Sequence, residues 1–178
     1  MRSFLGIELP NPVADHLAEI AERCPTGRSV PAENLHLTLC FLDDVPHETL
    51  EGLNETLAAL RQPAFSFRID GLGVFGGRTP RALYAGVPPI AALSDLNKRV
   101  RSKARSVGIA LDHKQFVPHI TLVRFRRGTE ETAEFQRYVA AHAGLTLGPV
   151  DVTSFTLFAS HLGKGGAHYE ALARYPLE

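Results

Sequence analysis

The chain has 178 residues, of which 44% are hydrophobic and 21% are charged. This is the composition of a globular protein and excludes extended disorder. Its only cysteines, Cys24 and Cys40, have no metal-site spacing, and no apolar run reaches the roughly 18–20 residues of a membrane span. We therefore expect a reduced, cytoplasmic protein with no signal peptide, no membrane segment and no structural metal.

The 19 basic and 19 acidic residues balance overall but are unevenly distributed. Residues 61–127 carry a net charge of +10, whereas residues 1–60 carry −7 and residues 128–178 carry −3. The densest basic cluster covers residues 98–105, and Lys114 and Arg124 follow it. Such a region can attract a polyanion, although basic residues on a helix are also typical of a solvated helix face.

Hydrophobic periodicity predicts a similar order of elements in each half of the chain. In the first half it predicts a strand at 4–9, a helix capped by Asn11, a strand at 35–42, a helix from Pro46, and strands at 65–69 and 82–87. In the second half it predicts a helix over about 90–107, a strand at 119–125, a helix opening at 128–131, and strands at about 145–160 and 168–174.

This recurrence indicates an internal duplication, with halves of about 1–88 and 89–178. The paired strands favour antiparallel sheets over a doubly wound fold. We therefore expect one α+β domain over 1–178 with two pseudo-symmetric lobes, in which antiparallel sheets line a central cleft and helices lie outside.

The same four-residue pattern occurs on a predicted strand of each half, as His36-Leu37-Thr38-Leu39 and as His119-Ile120-Thr121-Leu122. Side chains two apart on a strand share a face, so each strand presents an imidazole and a hydroxyl on one side and two aliphatic groups on the other. If the halves pack symmetrically, the four polar groups meet in the cleft. For one copy alone, a half-buried histidine paired with its own threonine for packing is the favoured explanation. Two copies in matching positions favour a functional site.

Two facing imidazoles suit proton transfer in both directions. Free histidine titrates near 6.5, so one ring can take a proton from water or a hydroxyl while the other gives a proton to a departing oxygen. The threonine hydroxyls and Arg124 would bind the non-bridging oxygens of a phosphodiester. This chemistry needs no metal and no cofactor, and it predicts a bell-shaped dependence of rate on pH around neutrality.

With these motifs the chain resembles the two-histidine phosphoesterase superfamily, known for its paired HxTx motif. Within that superfamily it is most similar to the bacterial RNA 2′,3′-cyclic phosphodiesterase (2′-5′ RNA ligase) family. The resemblance covers residues 1–10, both motif segments at 33–39 and 116–124, and the closing hairpin over 160–170. The chain departs from it at Asp43, where the family usually carries glycine, so we expect the loop after the first motif to differ.

The resemblance implies a hydrolase that opens 2′,3′-cyclic phosphates to 2′-phosphomonoesters, with a defined role for each motif residue. His36 would donate a proton to the leaving 3′-oxygen, and His119 would accept a proton from water. Thr38 and Thr121 would hold the phosphate, and Arg124 would assist substrate binding.

Other residues near the motifs are candidates for lining the substrate site: Phe116, His113, Ser160 and Tyr169. His161 and His168 bracket a glycine-rich loop and could do the same. The expected partners are RNA ends or small cyclic-phosphate nucleotides, with no obligate protein partner and a monomeric chain. Two alternatives remain open: 2′-5′ RNA ligase activity at the same residues, and a catalytically silent module that binds nucleotides or RNA.

Overall fold

An eight-stranded antiparallel sheet forms the centre of the computed structural model, which describes residues 1–178. Its strand order is β10-β9-β1-β3-β7-β6-β5, with β2 also pairing with β7, and β4 and β8 form a separate two-stranded sheet. The strands are β1 (Arg2–Glu8), β2 (Arg28–Ser29), β3 (His36–Asp44), β4 (Phe65–Asp70), β5 (Leu72–Phe75), β6 (Ala82–Gly86), β7 (His119–Arg124), β8 (Thr146–Val152), β9 (Ser154–Gly163) and β10 (Gly166–Pro176).

Four helices pack against this framework through apolar stripes spaced at helical intervals. They are α1 (Asn11–Glu22), α2 (His47–Ala58), α3 (Ala91–Ser106) and α4 (Ala133–Ala141), and a short 3-10 turn covers Ala32–Asn34. In α3, for example, Leu93, Leu96 and Val100 are fully buried and face β3 and α2. None of the helices is long and apolar enough to cross a membrane. The predicted α+β class with antiparallel sheets is confirmed.

The ends of two predicted helices are corrected by the backbone. Asn11 is the first residue of α1 and makes no capping hydrogen bond. The turn over 128–131 lies before α4, because Gly128 has a φ of +83° and Thr132 is the residue whose hydroxyl accepts from the backbone N–H of Phe135. Hydrophobic periodicity predicts helix ends least accurately, because an end depends on the φ and ψ angles of single residues.

The two halves of the chain exchange strands. From the second half, β9 and β10 extend the sheet beyond β1, while β6 and β5 from the first half extend it beyond β7. The single strand predicted at about 145–160 is two strands that join different sheets, because β8 pairs with β4 and β9 pairs with β1. The chain midpoint near residue 88 is therefore not a boundary between sheets.

The main sheet has two wings, β10-β9-β1-β3 and β7-β6-β5, and they meet at the two motif strands β3 and β7. The ladder between β3 and β7 consists of one pair, Leu37 opposite Ile120, and both side chains are fully buried. Leu39 and Leu122, the other aliphatic members of the motifs, are also buried. The predicted apolar face of each motif therefore anchors the junction, and the polar face of each motif points the other way.

Candidate active site

One cavity of about 170 Å³ collects the polar members of both motifs. We call it the motif cavity, and the residues that define it are His36, Thr38, His119, Thr121 and Arg124. The register of β3 and β7 explains this meeting. With Leu37 opposite Ile120 in an antiparallel pair, His36 lies across from Thr121, and Thr38 lies across from His119.

Each imidazole is oriented by the backbone carbonyl two residues before it. His36 Nδ1 is 2.7 Å from the carbonyl oxygen of Asn34, and His119 Nδ1 is 2.6 Å from that of Val117. Because a carbonyl can only accept, Nδ1 carries a hydrogen in both rings and donates it. Nε2 is therefore the atom of each ring that can gain or lose a proton in the cavity. His36 Nε2 lies 2.9 Å from Thr38 Oγ1.

Aromatic rings enclose each histidine from two sides. The ring centroid of His36 is 4.7 Å from that of Phe4 and 5.2 Å from that of Tyr169. The His119 centroid is 4.9 Å from that of Phe75 and 5.4 Å from that of Tyr84. Packing of this kind restricts each imidazole to one orientation.

Sequence reasoning anticipated Tyr169 but missed the other three rings of these enclosures. Phe4 lies on β1, next to the first motif strand, and Tyr84 faces Thr121 across the β6–β7 ladder. For Phe4 and Tyr84 the signal would have been an aromatic residue on a strand that pairs with a motif strand, whereas Phe75 lies one strand further out, on β5. That signal can be read only when the strand neighbours are known.

The protein environment disfavours charge on both histidines. Burial lowers the pKa of His36 to about 4, and the nearby positive charges of Arg124 and His119 add to the effect. Burial and Arg124 likewise lower the pKa of His119. No carboxylate lines the motif cavity. A bound anion would oppose this effect, because its charge offsets that of Arg124 and favours an imidazolium.

Three larger cavities share lining residues with the motif cavity, and two of them contain several basic side chains. A groove of about 300 Å³, here the basic groove, shares Thr38, Phe41, Phe75 and His119 with it. The groove continues to Arg81, Arg101, Asp112, Lys114 and Phe116. On the other side, a cavity of about 470 Å³ shares His36, Phe41, Arg124 and Tyr169 with the motif cavity and continues to Arg2, Arg28 and Ser160.

The remaining predicted lining residues divide between these cavities and the surface. Phe116 lines the basic groove, where it is half-buried against the core, and Ser160 lines the larger cavity. His113 is exposed and lines neither. His161 is bound to the Glu170 carboxylate at 2.8 Å, and its ring centroid is 6.4 Å from that of His168.

Phe41 is an aromatic residue that the motif analysis did not single out. Its side chain is 59% exposed, and it lines the motif cavity and both of its neighbours. It stands two residues before Asp43, which has a φ of +56° and is the only non-glycine residue with positive φ. Asp43 belongs to β3, opposite Ser3 beside a register shift, so the unusual residue strains the end of a strand and not a loop.

The structure contains no group of three or more His, Cys, Asp or Glu side chains that could hold a metal ion.

Comparison with known sequences connects this geometry to a family. The family described as the 2′-5′ RNA ligase superfamily matches residues 9–164. The RNA 2′,3′-cyclic phosphodiesterase of Escherichia coli is 32% identical over 186 residues, covering 99% of this chain and 96% of the relative. The protein of the same name from Geobacillus stearothermophilus is 36% identical over 97% of this chain, which spans 55% of that longer relative.

Solved structures show the same fold. E. coli LigT complexed with 3′-AMP superimposes with a TM-score of 0.80 at 31% identity, over 99% of this chain and 97% of that one. A Thermus thermophilus protein superimposes with a TM-score of 0.82 at 29% identity, over 99% and 97%. The family match over most of the sequence and the shared fold confirm the predicted resemblance, and the chain belongs to the 2′-5′ RNA ligase superfamily.

Proposed function

We propose that this protein is an RNA 2′,3′-cyclic phosphodiesterase that opens the cyclic phosphate to a 2′-phosphomonoester. The observation that carries the proposal is the motif cavity, in which two imidazoles, two hydroxyls and a guanidinium surround one small space without a carboxylate. Relatives of the chain over nearly its whole length have this name.

Substrate binding would prepare the histidines for catalysis. The hydroxyls of Thr38 and Thr121 and the guanidinium of Arg124 would hold the non-bridging oxygens of the phosphate. Burial, together with the positive charge of Arg124, holds the pKa of both histidines low in the free protein, and the negative charge of the phosphate offsets that of Arg124. Binding therefore raises both pKa values and makes a protonated imidazole available.

The family resemblance implies the direction of proton transfer that we propose. His119 Nε2 takes a proton from water as the water oxygen attacks phosphorus and forms the new P–O bond. The bond between phosphorus and the 3′-oxygen breaks, and His36 Nε2 gives its proton to that oxygen. The product is a 2′-phosphomonoester with a free 3′-hydroxyl, and the two rings recover their starting protonation through solvent.

The decisive experiment incubates the protein with an oligonucleotide that ends in a 2′,3′-cyclic phosphate and identifies the product. We expect a 2′-phosphate, and a 3′-phosphate would contradict the assigned direction of ring opening.

His36→Ala and His119→Ala should each lower kcat by about 10²–10⁴-fold, the usual contribution of a general acid or base. An unchanged circular dichroism spectrum would show that each variant is folded. His16→Ala, which replaces an exposed histidine of α1, is the matched control. An active His36→Ala or His119→Ala variant would remove that histidine from the mechanism, and inhibition by a chelator would contradict the metal-free mechanism.

A second activity at the same residues is 2′-5′ ligation, favoured by the match to a superfamily named for it. Adding an oligonucleotide with a 5′-hydroxyl tests it, since ligation gives a longer product with a 2′-5′ linkage. Binding of RNA ends without any turnover would instead support the silent module. A monomeric state and a cytoplasmic location remain predictions, testable by light scattering and by cell fractionation.

A further inference from the structure

We infer that Asn34 is a positioning residue for His36, because it ties the carbonyl that orients this imidazole to strand β10. Asn34 lies two positions before the first motif and is outside its four residues. The inference rests on the proposed function in one respect, since it takes His36 to be the proton donor of the reaction.

Asn34 uses its backbone and its side chain in two different contacts. Its carbonyl oxygen accepts the hydrogen bond from His36 Nδ1 at 2.7 Å. Its side-chain Nδ2 donates to the carbonyl oxygen of Ala167, also at 2.7 Å, and so reaches a strand 133 residues further along the chain. Because both groups belong to one residue, the carbonyl that holds His36 is fixed relative to β10.

The same strand returns to His36 through Tyr169. Ala167 and Tyr169 are two apart on β10 and share its less exposed face, whereas the residue between them is exposed. The Tyr169 ring stands edge-on to the imidazole, with centroids 5.2 Å apart and planes at 89°. His36, Asn34, Ala167 and Tyr169 therefore form a closed ring of contacts, here called the Asn34 clamp. The clamp holds the imidazole both at Nδ1 and at its ring.

His119 has no equivalent of this clamp. Its Nδ1 donates to the carbonyl of Val117 at 2.6 Å, but the Val117 side chain is 45% exposed and has no group that can donate a hydrogen bond. The preceding residues 109–118 form neither helix nor strand. The two motifs therefore differ in how firmly the carbonyl partner of the histidine is held. The firmer one serves the proposed proton donor, which must keep its proton within hydrogen-bond reach of one oxygen.

The kinetics of Asn34→Ala test the inference on a 2′,3′-cyclic mononucleotide. We expect kcat to fall by about 10–100-fold, because displacing a catalytic group by about 1 Å can cost about 10² in rate. KM should change by less than about threefold, since the residues proposed to hold the phosphate are unaltered. Gln62→Ala is the matched control and should leave kcat unchanged. It removes another side-chain amide that donates to a backbone carbonyl, that of Ala92 at 2.8 Å, outside the motif cavity.

A double variant separates positioning from a general loss of structure. In the His36→Ala background, Asn34→Ala should lower kcat by less than about twofold, because a residue that acts through the imidazole has no effect once the imidazole is absent. An equal loss in both backgrounds would overturn the inference. A raised KM with unchanged kcat would also overturn it, since Asn34 would then be a substrate-binding residue.

NMR of the Nδ1–H protons tests the clamp without any substrate, so it distinguishes failure of the inference from failure of the proposed function. In Asn34→Ala, the His36 Nδ1–H should exchange with water at least about tenfold faster than in the wild type, whereas the His119 Nδ1–H should be unaffected. Unchanged exchange at His36, or equal acceleration at both histidines, would overturn the inference. If the signals behave as expected and no cyclic phosphate reacts, the orientation of His36 by Asn34 stands and the proposed function fails.

Discussion

Replacing His36 by glutamine should make the protein less sensitive to acid. Burial lowers the pKa of this imidazole from 6.5 to about 4 in the folded protein, a difference of about 2.5. At about 1.36 kcal/mol per pKa unit, this corresponds to a loss of about 3 kcal/mol of stability. This is an upper value, because part of the His36 side chain is accessible to solvent and water screens its charge.

The sign follows from which state binds the proton. Above pH 6.5 the imidazole is neutral in both the folded and the unfolded chain, so the shift contributes nothing. As the pH falls below 6.5, the unfolded chain takes up a proton at His36 that the folded protein does not. The free energy of unfolding therefore decreases until about pH 4, where the folded protein also becomes protonated. Glutamine cannot titrate, so the His36→Gln variant lacks this component.

Urea unfolding followed by circular dichroism, at several pH values between about 7 and 4, measures the effect. We expect the stability of the wild type to fall relative to His36→Gln by up to about 3 kcal/mol over this range. His16→Gln controls for replacing an imidazole by an amide at an exposed position. Parallel stability curves for wild type and His36→Gln, or a His36 titration midpoint near 6.5 by NMR, would refute the reasoning.

Three further predictions concern pH, strand strain and the sheet junction. The kcat/KM profile, which reports the free enzyme, should have its optimum below pH 6.5, because the pKa values of His36 and His119 are both lowered. The kcat profile should lie at higher pH, since bound phosphate raises both values, and coincident optima near neutrality would contradict this. Asp43→Gly should raise the free energy of unfolding by about 1 kcal/mol in urea titrations, because glycine adopts the left-handed conformation without strain; a less stable variant would show that the carboxylate has a compensating contact. Leu37→Ala should lower the free energy of unfolding by about 2–5 kcal/mol, because it leaves a cavity at the one residue pair of the ladder between β3 and β7. A decrease below about 1 kcal/mol would mean that neighbouring side chains repack to fill that cavity.

The local chemistry of the motifs could be predicted because strand geometry depends on a period of two. His36 and Thr38 share a face whatever the rest of the chain does, and so do His119 and Thr121. The buried partners Leu37 and Ile120 confirm that alternation. The second motif strand was predicted at 119–125, and β7 ends one residue earlier, at Arg124.

The partners of those strands could not be predicted in the same way. Pairing between β1 and β9, or between β6 and β7, joins segments far apart in the chain, and alternating hydrophobicity is compatible with many such arrangements. The exchange of strands between the halves, and the division of residues 145–160 between two sheets, follow from this long-range choice.

The amino-acid pattern therefore specifies which polar groups this protein can present together, since side-chain direction along a strand is a local property. Folding of the whole chain determines the orientation and the pKa values of those groups. The aromatic enclosures and the burial that lowers both pKa values arise from segments distant in sequence. Only the carbonyls that orient each Nδ1 are local, since each belongs to the residue two positions before its histidine. The physical reason is that solvation and charge depend on every atom nearby, whatever its position in the chain.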